Sequence, residues 1–317
     1  MGDHFRLVRG GRATAVLGGH AVVVGAGMAG LLAARVLADH FEQVTVIDRD
    51  RVPDRPGFRP GVPQSRHLHV LLSRGLECLE QLHPGFEADL VAAGTPVVEG
   101  SDSLWLNAAG WCRRYRSPIR LLGATRELIE WQARTKLTAL ANVRLLETCE
   151  AVGLLADRDR RAVTGVRVRS RHGRGGKAGR ETGMPGDLVV DASGRGSKAP
   201  QWLAALGYQP PTETSINPLL GYASRQYQIP ASFQADWRMV VINAKPPGNA
   251  RSGALVPIEG RRWMVALIGA GGDYRRGRLP PVRSQPAQPA AVRDHQGRRA
   301  ALPHLQLPTH RQPATPL

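Results

Sequence analysis

The sequence predicts a mixed α/β chain: a parallel sheet backed by helices, then an antiparallel sheet, then a tail without regular structure. Three observations predict it. A β-branched run from Ala21 to Val24 passes through a glycine turn into a helix-forming segment. A second apolar run, Leu188–Val190, ends in another glycine turn. After Gly207, four short alternating segments follow one another, separated by turn residues.

The first run carries the strongest signal. In HAVVVGAGMAGLLAARVLADHFEQVTVIDRD, the strand Ala21–Val24 leads into Gly25-Ala26-Gly27-Met28-Ala29-Gly30, and Leu31–Ala38 continue as a helix. Gln43–Ile47 form a second buried strand that ends at Asp48, 18 positions after Gly30 and next to Arg49. Gly25 permits a tight turn, Gly27 lets a pyrophosphate approach the backbone without meeting a Cβ, and Gly30 lets helix and strand pack closely. The free N–H groups at the helix start, with about half a unit of positive dipole charge, bind phosphate. Asp48 at the strand tip can accept hydrogen bonds from a ribose. Together these residues predict a Rossmann-like dinucleotide site. The fingerprint alone does not separate FAD from NAD.

Downstream, Pro53–Pro63 read as a Pro/Gly loop. Leu68, Leu71, Leu72, Leu76 and Leu79 recur at helical spacing and predict a helix over residues 65–82. His67 and His69, at i and i+2, do not face each other on a helix, so no metal site is expected. Residues 143–148, 151–155 and 163–169 alternate, predicting a small antiparallel insertion over 143–169. The basic connection Arg169–Gly186 reads as solvated surface, because it lacks the interleaved aromatics of a single-strand nucleic-acid binder. Residues 220–228, 237–244, 253–258 and 262–268 are predicted strands, the last two joined by a Gly-Arg-Arg hairpin. Tyr222, Arg225, Trp237 and Trp263 are expected to line a substrate pocket there.

The 317 residues are 42% hydrophobic and 22% charged, enough for two buried units and against wholesale disorder. A net charge of +17 would suggest nucleic acid, yet Arg275–Leu317 hold eight Arg against one acid, Asp294. The same stretch holds eight of the 24 prolines and none of the 16 aromatic residues. Such a composition cannot offset chain entropy by burial, so 275–317 are read as a disordered tail and no specific nucleic-acid partner is expected. Residues 1–20 are read as a flexible N-terminus. Cys78, Cys112 and Cys149 show neither pairing nor metal spacing, which points to a reducing, cytoplasmic location. No apolar run reaches the roughly 20 residues of a membrane span. Gly25, Gly27, Gly30 and Arg35 argue against a signal sequence at Ala21–Ala38.

The segment Gly186–Ser197, GDLVVDASGRGS, resembles the second motif of the FAD-dependent group that contains aromatic hydroxylases, flavin epoxidases, geranylgeranyl reductases and tryptophan halogenases. Pro60–Phe86, PGVPQSRHLHVLLSRGLECLEQLHPGF, is similar to the region after the second strand in flavin-dependent epoxidases of polyether biosynthesis. Thr125–Arg134 resembles the family's helix that starts with an arginine, here Arg126. YASRQYQIP and GALVPIEGRRWMVALIGAGGDY resemble its substrate-domain strands. The resemblance runs from Ala21 to Tyr274. It implies a glutathione-reductase-type FAD-binding domain over 21–206 and an antiparallel substrate sheet over 207–274.

The resemblance further implies FAD held by Gly25, Gly27, Gly30, Asp48, Arg49, Arg126, Asp191 and Gly194, with NAD(P)H as electron donor. The loop 53–63 then passes close to the flavin. Gln64, His67 and His69 become the catalytic candidates, as polar donors near the isoalloxazine ring. Ser193-Gly194 stands where hydroxylases of the group carry Asp-Gly, which removes the acid expected for NADPH recognition at that turn.

The implied activity is hydroxylation or epoxidation of an apolar small molecule through a flavin hydroperoxide. One alternative is a geranylgeranyl-reductase-like flavin reductase. Another is a non-enzymatic degraded relative whose basic tail binds polyanions. The Trp-x-Trp-x-Ile-Pro segment of halogenases is absent. So are the family's returning strand, Gly-Asp-Ala motif and helix after Tyr274. The expectation is therefore that family-like sequence stops near Tyr274, by frameshift or truncation, with weak FAD retention and an inactive chain as the consequences to test.

Overall fold

The computed structural model describes residues 16–171 and 179–270. The chain opens with β1 (Gly18–Val24), α1 (Met28–Leu37) and β2 (Phe41–Ile47). Next come α2 (Ser73–Leu82), α3 (Phe86–Ala92), β3 (Val97–Glu99), β4 (Ser103–Asn107), β5 (Gly110–Trp111) and β6 (Arg120–Leu122). α4 (Arg126–Thr138) and β7 (Val143–Leu146) lead to β8 (Cys149–Ala156), β9 (Val163–Ser170), β10 (Glu181–Pro185) and β11 (Leu188–Asp191). α5 (Ala199–Ala205), β12 (Gly221–Gln228), β13 (Met239–Ile242), β14 (Arg251–Ile258) and β15 (Arg262–Gly269) follow.

Four strands pair in parallel in the order β11-β1-β2-β7. A parallel sheet is covered on both faces, and its strands read as continuous apolar runs. Ala21, Val22, Val23, Val44 and Val46 are fully inaccessible. On one face Leu31 and Ala34 of α1 share a core with Leu128, Ala133 and Leu137 of α4 and with Phe86 and Leu90 of α3. On the other, Val22, Val24 and Ile47 meet Ala151, Val166 and Val168 of the antiparallel sheet β10-β9-β8. A six-stranded sheet, β12-β15-β14-β13-β4-β5, packs through Met239 and Val256 on Val98 of the β3–β6 pair.

The structure corrects several boundaries. The helix expected over 65–82 begins only at Ser73; Pro63–Arg66 form a short 3-10 turn. Leu71 instead pairs with Leu122 through two backbone hydrogen bonds of 3.0 and 3.1 Å, which holds the segment before α2 extended. β7 is not part of an antiparallel insertion: Val143–Leu146 pair in parallel with Val44–Ile47, and the antiparallel sheet starts at Cys149. The substrate sheet does not begin at 207, because it recruits β4 and β5. It is also mixed rather than antiparallel, because β13 and β4 run parallel.

Gly18–His20 belong to a strand rather than to a flexible N-terminus. Asp187 anchors them, its Oδ2 accepting from Gly19 N–H (2.8 Å) and His20 N–H (2.9 Å). The expected hairpin forms through a three-residue loop, residues 259–261, in which Gly260 (φ +72°) and Arg261 (φ +52°) are left-handed. The tail 275–317, the end of family-like sequence near Tyr274 and residues 1–15 lie outside the described residues. Among those described, no helix is long and apolar enough to cross a membrane.

Candidate functional site

Two glycine turns meet where the parallel strands end. Gly25 N–H donates to Ile47 O, and Ala192 N–H donates to Val24 O, each at 2.8 Å, so both turns leave from paired strands. Gly25 has φ +102°, and a Cβ there would stand 2.6 Å from Ala192 O. At Gly30 a Cβ would stand 1.8 Å from Gly25 O. Only glycine fits either position. Gly27 is different: a Cβ there would meet nothing within 4 Å.

Gly27 borders a solvent-open cleft of about 220 Å³, lined also by Asp48, Arg49, Gln64, Arg126, Gly194 and Trp202. Gly27 is also the N-cap of α1, with no side-chain cap and no acid in the first turn. The helix start therefore keeps donors for an anion, and its cradle is one that a side chain at Gly27 would fill. These residues fit a dinucleotide pyrophosphate.

A buried charge network underlies the cleft. Arg59, 4% exposed, donates to Asp48 Oδ2 (3.0 Å), Glu130 Oε1 (2.8 Å) and Ala26 O (2.8 Å), and reaches Asp50 Oδ2 at 3.4 Å. Burial opposes the Arg59 charge, but Asp48, Glu130 and Asp50 outweigh it and hold the guanidinium above its ordinary pKa. Arg126 donates to Glu130 Oε2 at 3.2 Å from the first turn of α4. The N-cap of that helix, Thr125, accepts from Leu128 N–H and gives both its N–H and its hydroxyl to Glu259 in the β14–β15 turn. Because each charge has a partner, the burial of this set is tolerated.

Of the expected cofactor residues, Gly25, Gly27, Asp48, Arg49, Arg126 and Gly194 line the cleft, while Gly30 sits behind it at the helix–strand contact. Asp48 is not a free acid waiting at the strand tip. Its Oδ2 accepts from Ala26 N–H (2.7 Å) and Arg59, its Oδ1 from Asp50 N–H (2.8 Å). With about four acceptor sites on a carboxylate, one remains on Oδ1. Asp191 does not line the cleft; it accepts from Ser193 N–H (2.9 Å) and Ser197 Oγ and so shapes the second turn.

Gln64 lines the cleft, whereas His67 and His69 do not. His67 Nδ1 lies 3.1 Å from Ser224 Oγ, and its ring lies 6.0 Å from that of Tyr222. His69 Nδ1 lies 3.0 Å from His67 O. Burial first, helped by the nearby Arg126 charge, holds the His69 pKa below its ordinary value despite that hydrogen bond.

The four substrate-pocket residues do not form one pocket. Tyr222 and Ser224 share the face of β12 that meets His67, and the strand alternation puts Arg225 on the opposite face, over Tyr227 at 5.4 Å. Trp263 pairs with Tyr227 and shares that outer face. There it packs edge-on against Phe233 at 4.6 Å, with Trp237 stacked at 6.4 Å, bordering a separate groove with Arg238 and Arg261.

Arg59, Asp50 and Glu130 were not anticipated from sequence. The one local signal is the i, i+4 spacing of Arg126 and Glu130; nothing local ties Arg59 to a residue 71 positions away.

Residues 23–59 match the model of the NAD(P)-binding Rossmann-like domain, from β1 to Arg59 itself. The chain is 38% identical over 255 residues to protein Rv3254 of Mycobacterium tuberculosis, covering 79% of this chain and 53% of Rv3254. It thus spans about half the length of that curated relative. Its structure is similar to that of PqsL, a probable FAD-dependent monooxygenase from Pseudomonas aeruginosa, with a TM-score of 0.57 at 16% identity over 82% of this chain and 62% of that one. It is also similar to p-nitrophenol 4-monooxygenase PnpA from Pseudomonas putida, with a TM-score of 0.54 at 15% identity over 83% of this chain and 61% of that one. Residues 23–59 thus match a Rossmann-like domain, and the chain shares the fold of these two solved structures.

Proposed function

We propose that the cleft binds FAD and that the chain serves an FAD-dependent oxidoreductase of the monooxygenase type, hydroxylating or epoxidising an apolar small molecule with NAD(P)H as donor. The observation that carries this reading is the open space at Gly27, at an uncapped helix start beside Asp48. Gly27 and the start of α1 would hold the pyrophosphate, and the remaining Asp48 acceptor and Arg49 would meet the adenosine ribose. Arg126 and Gln64 would line the rest of the cofactor's path. Bound flavin would supply the electron-transfer and oxygen chemistry, while these residues bind it, orient it and keep water out.

The Asp191-Ala192-Ser193-Gly194 turn favours a second reading, a flavin reductase of isoprenoid double bonds. Reconstitution with FAD, followed by NAD(P)H oxidation under labelled oxygen, separates the two. A product carrying the label supports the monooxygenase, a reduced double bond without label supports the reductase, and protein that takes up no flavin contradicts both.

A further inference from the structure

We infer that Arg59 is a positioning residue that aims the pyrophosphate-binding amide of the glycine turn. The inference rests on the cleft being the FAD site and assigns the residue that prepares it.

The geometry is specific to the second peptide of that turn. Ala26 is fully buried. Its N–H donates to Asp48 Oδ2 at 2.7 Å, and its carbonyl accepts from Arg59 Nη2 at 2.8 Å. Arg59 Nη1 in turn donates to the same Asp48 Oδ2 at 3.0 Å. Both polar groups of Ala26 are therefore fixed, one by Arg59 directly and the other through the carboxylate that Arg59 holds.

In a planar trans peptide the carbonyl and the following N–H point in opposite directions. Fixing Ala26 O on Arg59 turns the Gly27 N–H away from the guanidinium. That N–H has no hydrogen-bond partner among the described residues, and Gly27 borders the cleft. The donor is left for the ligand, and its direction is set before the ligand arrives. Preorganisation of this kind lowers the cost of ordering the turn on binding.

The planar fork explains why an arginine stands here. Nε takes Glu130, Nη1 takes Asp48 and Nη2 takes Ala26 O. A lysine ammonium keeps the positive charge among the carboxylates but cannot reproduce three divergent, coplanar bonds. Arg59→Lys thus separates charge balance, which supports folding, from amide alignment. Arg59→Met removes both.

The test compares wild type, Arg59→Lys and Arg59→Met by FAD titration, thermal unfolding and 31P NMR of the bound flavin. Arg59→Lys is expected to unfold near the wild-type temperature, yet to bind FAD at least tenfold more weakly and to shift the pyrophosphate resonances toward those of free FAD. Arg59→Met is expected to lose stability as well. If Arg59→Lys is folded and matches wild type in both affinity and 31P shift, the inference is overturned while the FAD site stands. If folded wild type binds no FAD, the reading of the cleft fails instead.

Discussion

Acidification from about pH 7.5 to about pH 5 tests the packing of α2 against its neighbours through one side chain, His83. This residue is 3% exposed at the end of α2, with its Nε2 lacking a hydrogen-bond partner. Burial first, and then the positive charges of Arg35 and Lys136, push its pKa from 6.5 down to about 4. Since the folded value lies below the unfolded one, the folded state binds fewer protons. The stability that neutral His83 contributes is thus fully present above the unfolded value of 6.5 and is lost as pH falls from there toward about 4. The whole difference is about 3 kcal/mol, and roughly 2 kcal/mol of it is gone by about pH 5.

Carboxylates ordinarily titrate just below this range, so the measurement is a comparison. His83→Gln fills similar space and cannot ionise. Urea unfolding of both proteins at the two pH values gives the result. Wild type should lose about 2 kcal/mol more than His83→Gln on acidification. Equal losses in the two proteins would refute the idea that a buried neutral histidine is maintained there.

Three further outcomes follow from the packing. Gly30→Ala should destabilise the fold by about 3 kcal/mol or more, read by urea unfolding, because its methyl group would overlap Gly25 O. Glu259→Ala should cost about 1–2 kcal/mol in the same assay, since it removes both bonds that the α4 N-cap Thr125 donates. Trp263→Ala should lower stability by about 2 kcal/mol yet leave FAD affinity unchanged, because its ring packs on the outer face of the six-stranded sheet.

The parts of this molecule that were legible in sequence are those whose cause is local. The run from Ala21 to Asp48 holds strand, turn, helix and second strand in one uninterrupted pattern, and the cleft forms on it. β11 was legible for the same reason, as an apolar run ending at Asp191. β7 was not, because alternating Val143–Leu146 looks the same whether it joins a parallel or an antiparallel sheet. The joining of β4 to β13 links residues far apart in the chain and leaves no local mark. At the site, Gly27 could be read from the turn, but the wiring of Asp48 could not, since Arg59 lies in a Pro/Gly loop that only the fold brings beneath it. The substrate residues failed for a simpler reason. Tyr222 and Arg225 are an odd number of positions apart, so a strand must put them on opposite faces.

The central claim, that the cleft at Gly27 receives FAD, is tested most directly by titrating FAD into wild type and Gly27→Val with protein fluorescence as readout. The valine side chain enters open space in the protein alone, at a backbone φ of −75° that any residue adopts, so the variant should fold as wild type does. With FAD bound as proposed, the same side chain would occupy the place of the pyrophosphate. The account predicts saturable binding to wild type and a loss of affinity of at least about tenfold in folded Gly27→Val, near 1.4 kcal/mol. Equal FAD affinity in the two folded proteins would contradict it.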